Sequence, residues 1–85
     1  MSLRDAAYAS ASAYLSAFED HELVNLNIYQ IILEEVEKGL IEATLSRCGY
    51  NQSWAAEILG LSRNTLRKKI SVLGLTPAPH EKRRK

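Results

Sequence analysis

Residues 63–69 read Arg-Asn-Thr-Leu-Arg-Lys-Lys, which sets four cations and two neutral hydrogen-bonding side chains within seven positions. A guanidinium such as that of Arg63 presents a planar fork that can match guanine O6 and N7 together. The ammonium groups of Lys68 and Lys69 are point charges suited to phosphate oxygens. On a helix, Leu66, Ile70 and Leu73 fall at i, i+4 and i+7 and make one apolar stripe. Asn64, Arg67, Lys68 and Ser71 then point the other way, with Arg63 and Thr65 in the first turn. The chemistry is that of recognition. There is no Ser-His-acid set, no cluster of metal ligands and no glycine-rich phosphate loop, so neither an enzyme nor a cofactor is expected. Tyr8, Tyr14, Tyr29 and Tyr50 occupy helical or cap positions, where an aromatic is more often core than catalytic. His21 has no nucleophile or metal-ligand companion and reads as a surface histidine.

Two short helices joined by a tight turn are needed to present that face, and residues 51–74 carry the signals for them. Asn51 is a good N-cap, because its side-chain oxygen can accept an orphan N–H of the first turn. Ala55, Ala56, Ile58 and Leu59 supply small and apolar packing surface. Gly60 ends the first helix, where a left-handed conformation costs least without a Cβ. Leu61 can pin the turn, Ser62 caps the second helix, and Gly74 stands at its expected stop. Small residues and a glycine for close approach, then a helix with a free basic face, make a helix-turn-helix pattern.

The whole chain sharpens this. It has 85 residues, one small domain short of core, with a net charge of +1. Residues 1–50 hold three basic groups and eight acidic ones, whereas residues 51–85 hold eight basic groups against Glu57 and Glu81. Such asymmetry points to an anionic partner for the second half, and double-stranded DNA is the obvious polyanion. Cys48 is the only cysteine and reads as a small buried side chain in a reducing cytoplasm. No apolar run reaches the ~18 residues of a transmembrane helix, and the start lacks a signal-peptide core, so no membrane partner is expected.

Upstream, residues 3–18 predict a helix opened by a Ser2–Asp5 capping box. Its stripe is Leu3, Ala7, Ala11, Tyr14 and Phe18, widened by Tyr8 and Leu15, and it needs a partner to cover it. Residues 19–26 read as an acidic connector. Asn27 with Gln30 opens a long helix over 28–47, apolar at 28, 29, 31, 32, 33, 36, 40, 41 and 45. A helix apolar on nearly all sides is buried from more than one direction. So short a chain has too little else to bury it, so a symmetric homodimer is expected. Glu34 and Lys38 can pair at i, i+4. Gly39 allows a bend or a close helix crossing, and Gly49 ends the helix. Beyond Gly74, Thr76-Pro77-Ala78-Pro79 and the charge run Glu81-Lys82-Arg83-Arg84-Lys85 read as a basic disordered tail over 76–85. The expected organisation is one domain over 1–75, with a dimer core at 3–48 and the helix-turn-helix at 51–74.

These residues resemble the Fis family, the bacterial factor for inversion stimulation and the related C-terminal domain of NtrC-type response regulators. The likeness rests on Tyr29, Ile32-Leu33-Glu34-Glu35-Val36-Glu37, Leu40, Asn51-Gln52-Ser53 and Arg63-Asn64-Thr65-Leu66-Arg67-Lys68-Lys69, and runs from about Leu3 to Leu75. It implies an all-α fold of four helices, in which helices A and B of two chains intertwine as the dimer core and C and D form the helix-turn-helix. It implies recognition helices closer together than one DNA turn, so that DNA bends to admit both. It implies phosphate contacts at Asn51, Ser53, Thr65, Lys68 and Lys69, with Arg63 nearest the bases and Arg67 at the groove edge. Ser62 and Asn64 complete the expected DNA-binding set.

Five features depart from the family pattern. Only two residues precede the first helix, so the arm that activates DNA invertases is not expected. Gly39 stands where the family often has Pro, and Ser62 where it often has Asn. Trp54 occupies a commonly polar or basic position, where it can cover the core edge or lie beside the sugar-phosphate backbone. The basic tail is also unusual. The expected function is a cytoplasmic, nucleoid-associated regulator of transcription that binds and bends DNA with largely indirect readout, with RNA polymerase as a further partner. The alternative is the isolated C-terminal DNA-binding domain of an NtrC-type, sigma-54-dependent activator. A rival of another class is an adaptor whose basic helix docks an acidic protein.

Overall fold

Ser2 starts the first helix through the expected capping box. Its Oγ accepts the Asp5 N–H at 3.1 Å, and Asp5 Oδ2 accepts the Ser2 N–H at 3.3 Å. The computed structural model describes residues 1–76 and runs α1 (Leu3–Leu15), α2 (Asp20–Leu23), α3 (Ile28–Arg47), α4 (Gln52–Leu59) and α5 (Arg63–Leu73). The fold is all-α, with no strand among the described residues. Among the described residues there are five helices where four are expected. Of the expected tail, residues 77–85 lie outside the described part of the chain.

The first helix is shorter than the spacing predicts. It stops at Leu15 because Ser16 turns its hydroxyl back onto the Ala13 carbonyl at 2.8 Å. The amides of Ala17 and Phe18 then bond three residues back, to Tyr14 and Leu15, at 3.2 Å each. The Phe18 ring still reaches Tyr14, with centroids 5.6 Å apart. The acidic connector folds into the additional helix, α2. Glu22 reaches back to the Glu19 N–H at 2.8 Å, and Asp20 and Glu22 sit where a helix N-terminus favours negative charge. Asn27 then takes a left-handed φ of 52°, which asparagine tolerates better than most residues. Its carbonyl accepts the Ile31 N–H at 3.2 Å and so opens α3 at the expected place.

Two compact units divide along α3, the first reaching Leu33 and the second beginning at Glu34. No side chain of α1 or α2 is buried. The second unit has its own core: Ile41, Leu45 and Cys48 from α3 and its end, Ala55 and Ala56 from α4, and Leu66 and Ile70 from α5. Tyr50, Leu59, Leu73 and Leu75 pack around them. Buried Thr44 is satisfied locally, its hydroxyl donating to the Leu40 carbonyl at 2.8 Å. The α3–α4 turn has two consecutive left-handed residues, Gly49 (φ 58°) and Tyr50 (φ 66°). The Tyr50 N–H closes the turn onto the Leu45 carbonyl at 2.7 Å.

Two details of α3 differ from the sequence reading. Lys38 pairs with Glu35, three residues back, at 3.0 Å, a partner that the i, i+4 reading did not name. Among the described residues a Cβ on Gly39 would meet nothing within 4 Å, so no close helix crossing between them depends on that glycine.

Candidate nucleic-acid interface

The second unit builds its charged face from caps outward. Asn51 Oδ1 accepts the Trp54 N–H at 3.0 Å and fixes the start of α4. Gly60 ends it at φ 75°, and the Leu61 N–H folds back to the Ala56 carbonyl at 2.9 Å. Two residues later Ser62 Oγ accepts the Thr65 N–H at 3.1 Å and donates to Thr65 Oγ1 at 2.9 Å, which sets α5 immediately after the turn. Ala55 and Ala56 are buried, so no bulk separates α4 from the helix it packs against, and Leu66 of α5 is completely inaccessible. The turn is therefore held by backbone geometry and by packing together.

The stripe at 66, 70 and 73 faces the core as its spacing predicts. Arg63, Asn64, Thr65, Arg67, Lys68 and Ser71 are exposed, and Lys69 is half-buried. Asn51 and Ser53 are exposed at the start of α4. One pair of expected site residues is brought together across the turn: Arg63 Nη1 donates to Ser53 Oγ at 3.3 Å. Three others use polar atoms internally, since Asn51 and Ser62 serve as caps and the Thr65 hydroxyl accepts from Ser62. Lys69 is engaged as well, its Nζ lying 2.7 Å from Glu37 Oε2 of α3. Glu37 is a site neighbour that the sequence reading missed, because nothing local links residues 32 positions apart.

Ile58 corrects the sequence reading, which counted it among the packing residues. It is exposed, and so is Trp54 one turn before it. The inward positions of this eight-residue helix are taken by Ala55, Ala56 and Leu59, so positions 54 and 58 are left facing outward. Gln52, Arg67, Ile70, Ser71 and Leu75 line a shallow hollow between the start of α4 and the end of α5. Among the described residues no group of His, Cys, Asp and Glu could hold a metal ion, and no helix is long and apolar enough to cross a membrane.

A capped pair of short helices with a tight left-handed turn and a free polar face defines a helix-turn-helix protein. Comparison with known proteins gives the family. The model of the Fis family of bacterial regulatory proteins matches residues 32–71. A Fis-like DNA-binding protein of Neisseria meningitidis (strain Z2491) is 50% identical over 48 residues, which cover 56% of this chain and 61% of the relative. The DNA-binding protein Fis of Vibrio cholerae (strain O395) is 37% identical over 73 residues, 86% of this chain and 72% of the relative. The same protein of Vibrio parahaemolyticus shows the same figures. No solved structure matches the chain. The chain belongs to the Fis family.

Proposed function

We propose that the chain is a homodimeric DNA-binding regulator of Fis type, in which α5 of each subunit enters the major groove of duplex DNA. One observation carries the reading: a cap-locked helix-turn-helix presents Arg63, Asn64, Arg67 and Lys68 together on its exposed side. The names of the Neisseria and Vibrio relatives support DNA as the ligand. Asn51, Ser53, Thr65, Lys68 and Lys69 position the helix on phosphates, which fixes register without reading sequence. Arg63 pairs with guanine, and Ser53 steadies its guanidinium until the base is met. Arg67 lies at the groove edge beside Gln52 and Ser71. Ser62 and Asn64 complete the surface at the start of α5.

Dimerisation is supported by the apolar side chains left open on α1 and α3. Leu3, Tyr8, Tyr29, Leu33, Val36 and Leu40 are all exposed in the single chain. A second copy is the economical cover for so much apolar surface. In such a dimer the two α5 helices engage successive grooves, DNA bends to admit both, and specificity is largely indirect, through the stiffness of the spacer. Such a regulator works at the bacterial nucleoid in the cytoplasm, with RNA polymerase as a further contact. The test is titration of a mixed-sequence duplex at several salt concentrations. Affinity should fall steeply and linearly in log–log form, with a slope of about −0.9 for each neutralised phosphate. A slope near zero rules the reading out.

A further inference from the structure

We propose that Glu37 competes with DNA phosphate for Lys69, and so holds down the sequence-independent part of DNA binding. The inference rests on the DNA-binding reading above and goes beyond it, because it makes a residue of α3 a determinant of affinity.

Three observations carry it. Lys69 Nζ and Glu37 Oε2 are 2.7 Å apart, a charge-assisted hydrogen bond rather than a loose pairing. Both side chains are partly sheltered, at 40% and 35% exposure, so salt screens the pair less than it screens fully exposed charges. The neighbouring cations Arg67 and Lys68 are exposed and have no ion pair with a described residue. Of two adjacent lysines, one has no ion pair among the described residues and the other already holds a carboxylate.

The consequence follows from the exchange itself. When Lys68 meets a phosphate, it neutralises that phosphate and releases a counterion from the DNA. When Lys69 does so, the ammonium must leave Glu37 or share itself between two anions. One ion pair is lost as another forms, and the freed carboxylate stands beside the phosphate as a like charge. Lys69 therefore adds little net affinity while Glu37 is ionised. Because phosphate contacts carry no sequence information, the restraint acts equally on every duplex. A repulsive element of this kind keeps a basic face from saturating on arbitrary DNA.

A double-mutant cycle tests this on the full chain with a mixed-sequence duplex. Wild type, Glu37→Gln, Lys69→Ala and the double variant are titrated over a range of salt. Glu37→Gln keeps the size and a hydrogen-bonding oxygen and removes only the charge. It should tighten binding by about three- to tenfold and steepen the salt slope by up to about one unit. Lys69→Ala should cost less than about threefold in the wild-type background and cancel the whole gain in the Glu37→Gln background. Tighter binding in Glu37→Gln that does not depend on Lys69 overturns the proposal. So does weaker binding, which would make Glu37 a positioning residue for Lys69, and so does no change at all. Circular dichroism reports whether each variant folds. If Glu37→Gln does not, Lys68→Ala against Lys69→Ala decides: a clearly larger loss at Lys68 supports the proposal and equal losses overturn it. Wild type that binds no duplex at low salt removes the DNA-binding reading and this inference together. Wild type that binds, beside an inert Glu37→Gln, removes this inference alone.

Discussion

The first two helices are as well begun as the last two, yet they bury nothing. Ser2 caps α1 and Glu22 secures the start of α2, but no side chain on either helix is buried. From Glu34 onward the same kinds of cap accompany a closed core, in which Leu45, Ala55 and Leu66 have no accessible surface. Capping fixes where a helix starts and stops, and contributes about 1 kcal/mol at each end. It does not supply the packing that most helical stability comes from. The helix-turn-helix end of the chain therefore stands on its own contacts, whereas no side chain of the two N-terminal helices is buried in the single chain.

Core truncations give the largest test of that contrast. Leu66→Ala should destabilise by about 2–5 kcal/mol, since a fully buried leucine leaves a cavity behind. Followed by denaturant melts, this loss should appear at every protein concentration. Leu33→Asp together with Val36→Asp should act differently. Both residues are exposed in the single chain, so the pair should leave the helix-turn-helix folded and abolish the concentration dependence of the midpoint. A midpoint already fixed over a hundredfold dilution of the wild type breaks the contrast, because the N-terminal face would then be bare in solution.

Gly60→Ala comes next. Its φ of 75° makes any Cβ strained although the space around it is open, and the cost should be about 1–2 kcal/mol in the same melts. The two serine caps give the smallest and sharpest comparison. Ser62→Ala should cost about 1 kcal/mol, because α5 is tied to the core. In protein diluted to the single chain, Ser2→Ala should cost only a few tenths of that, because an unburied helix end frays before the protein unfolds. Equal losses at the two caps would mean that α1 is as firmly docked as α5.

How much of this was legible beforehand follows the range of the forces involved. The caps at Ser2, Asn51 and Ser62 and the stops at Gly60 and Gly74 are local, and each stands where its residue type predicts. The stripe of Leu66, Ile70 and Leu73 is periodic and equally readable. What escaped depends on competition or on distance. The connector at 19–26 hid a one-turn helix, because four residues show no period and the stabilising Glu22–Glu19 contact looks like any acidic run. Ile58 was misplaced because α4 needs only two small residues and one leucine inward. Lys69 looked like one more free cation until α3 brought Glu37 beside it.

In the dimer proposed for this chain, two copies close over their exposed N-terminal faces and present two α5 helices to one duplex. Light scattering of the protein alone, and then with a duplex of about three helical turns, tests it directly. The expected result is a mass of two chains in the free protein and two chains on each duplex, with no monomer–duplex complex during titration. A fully helical single chain that binds the duplex one to one would contradict it.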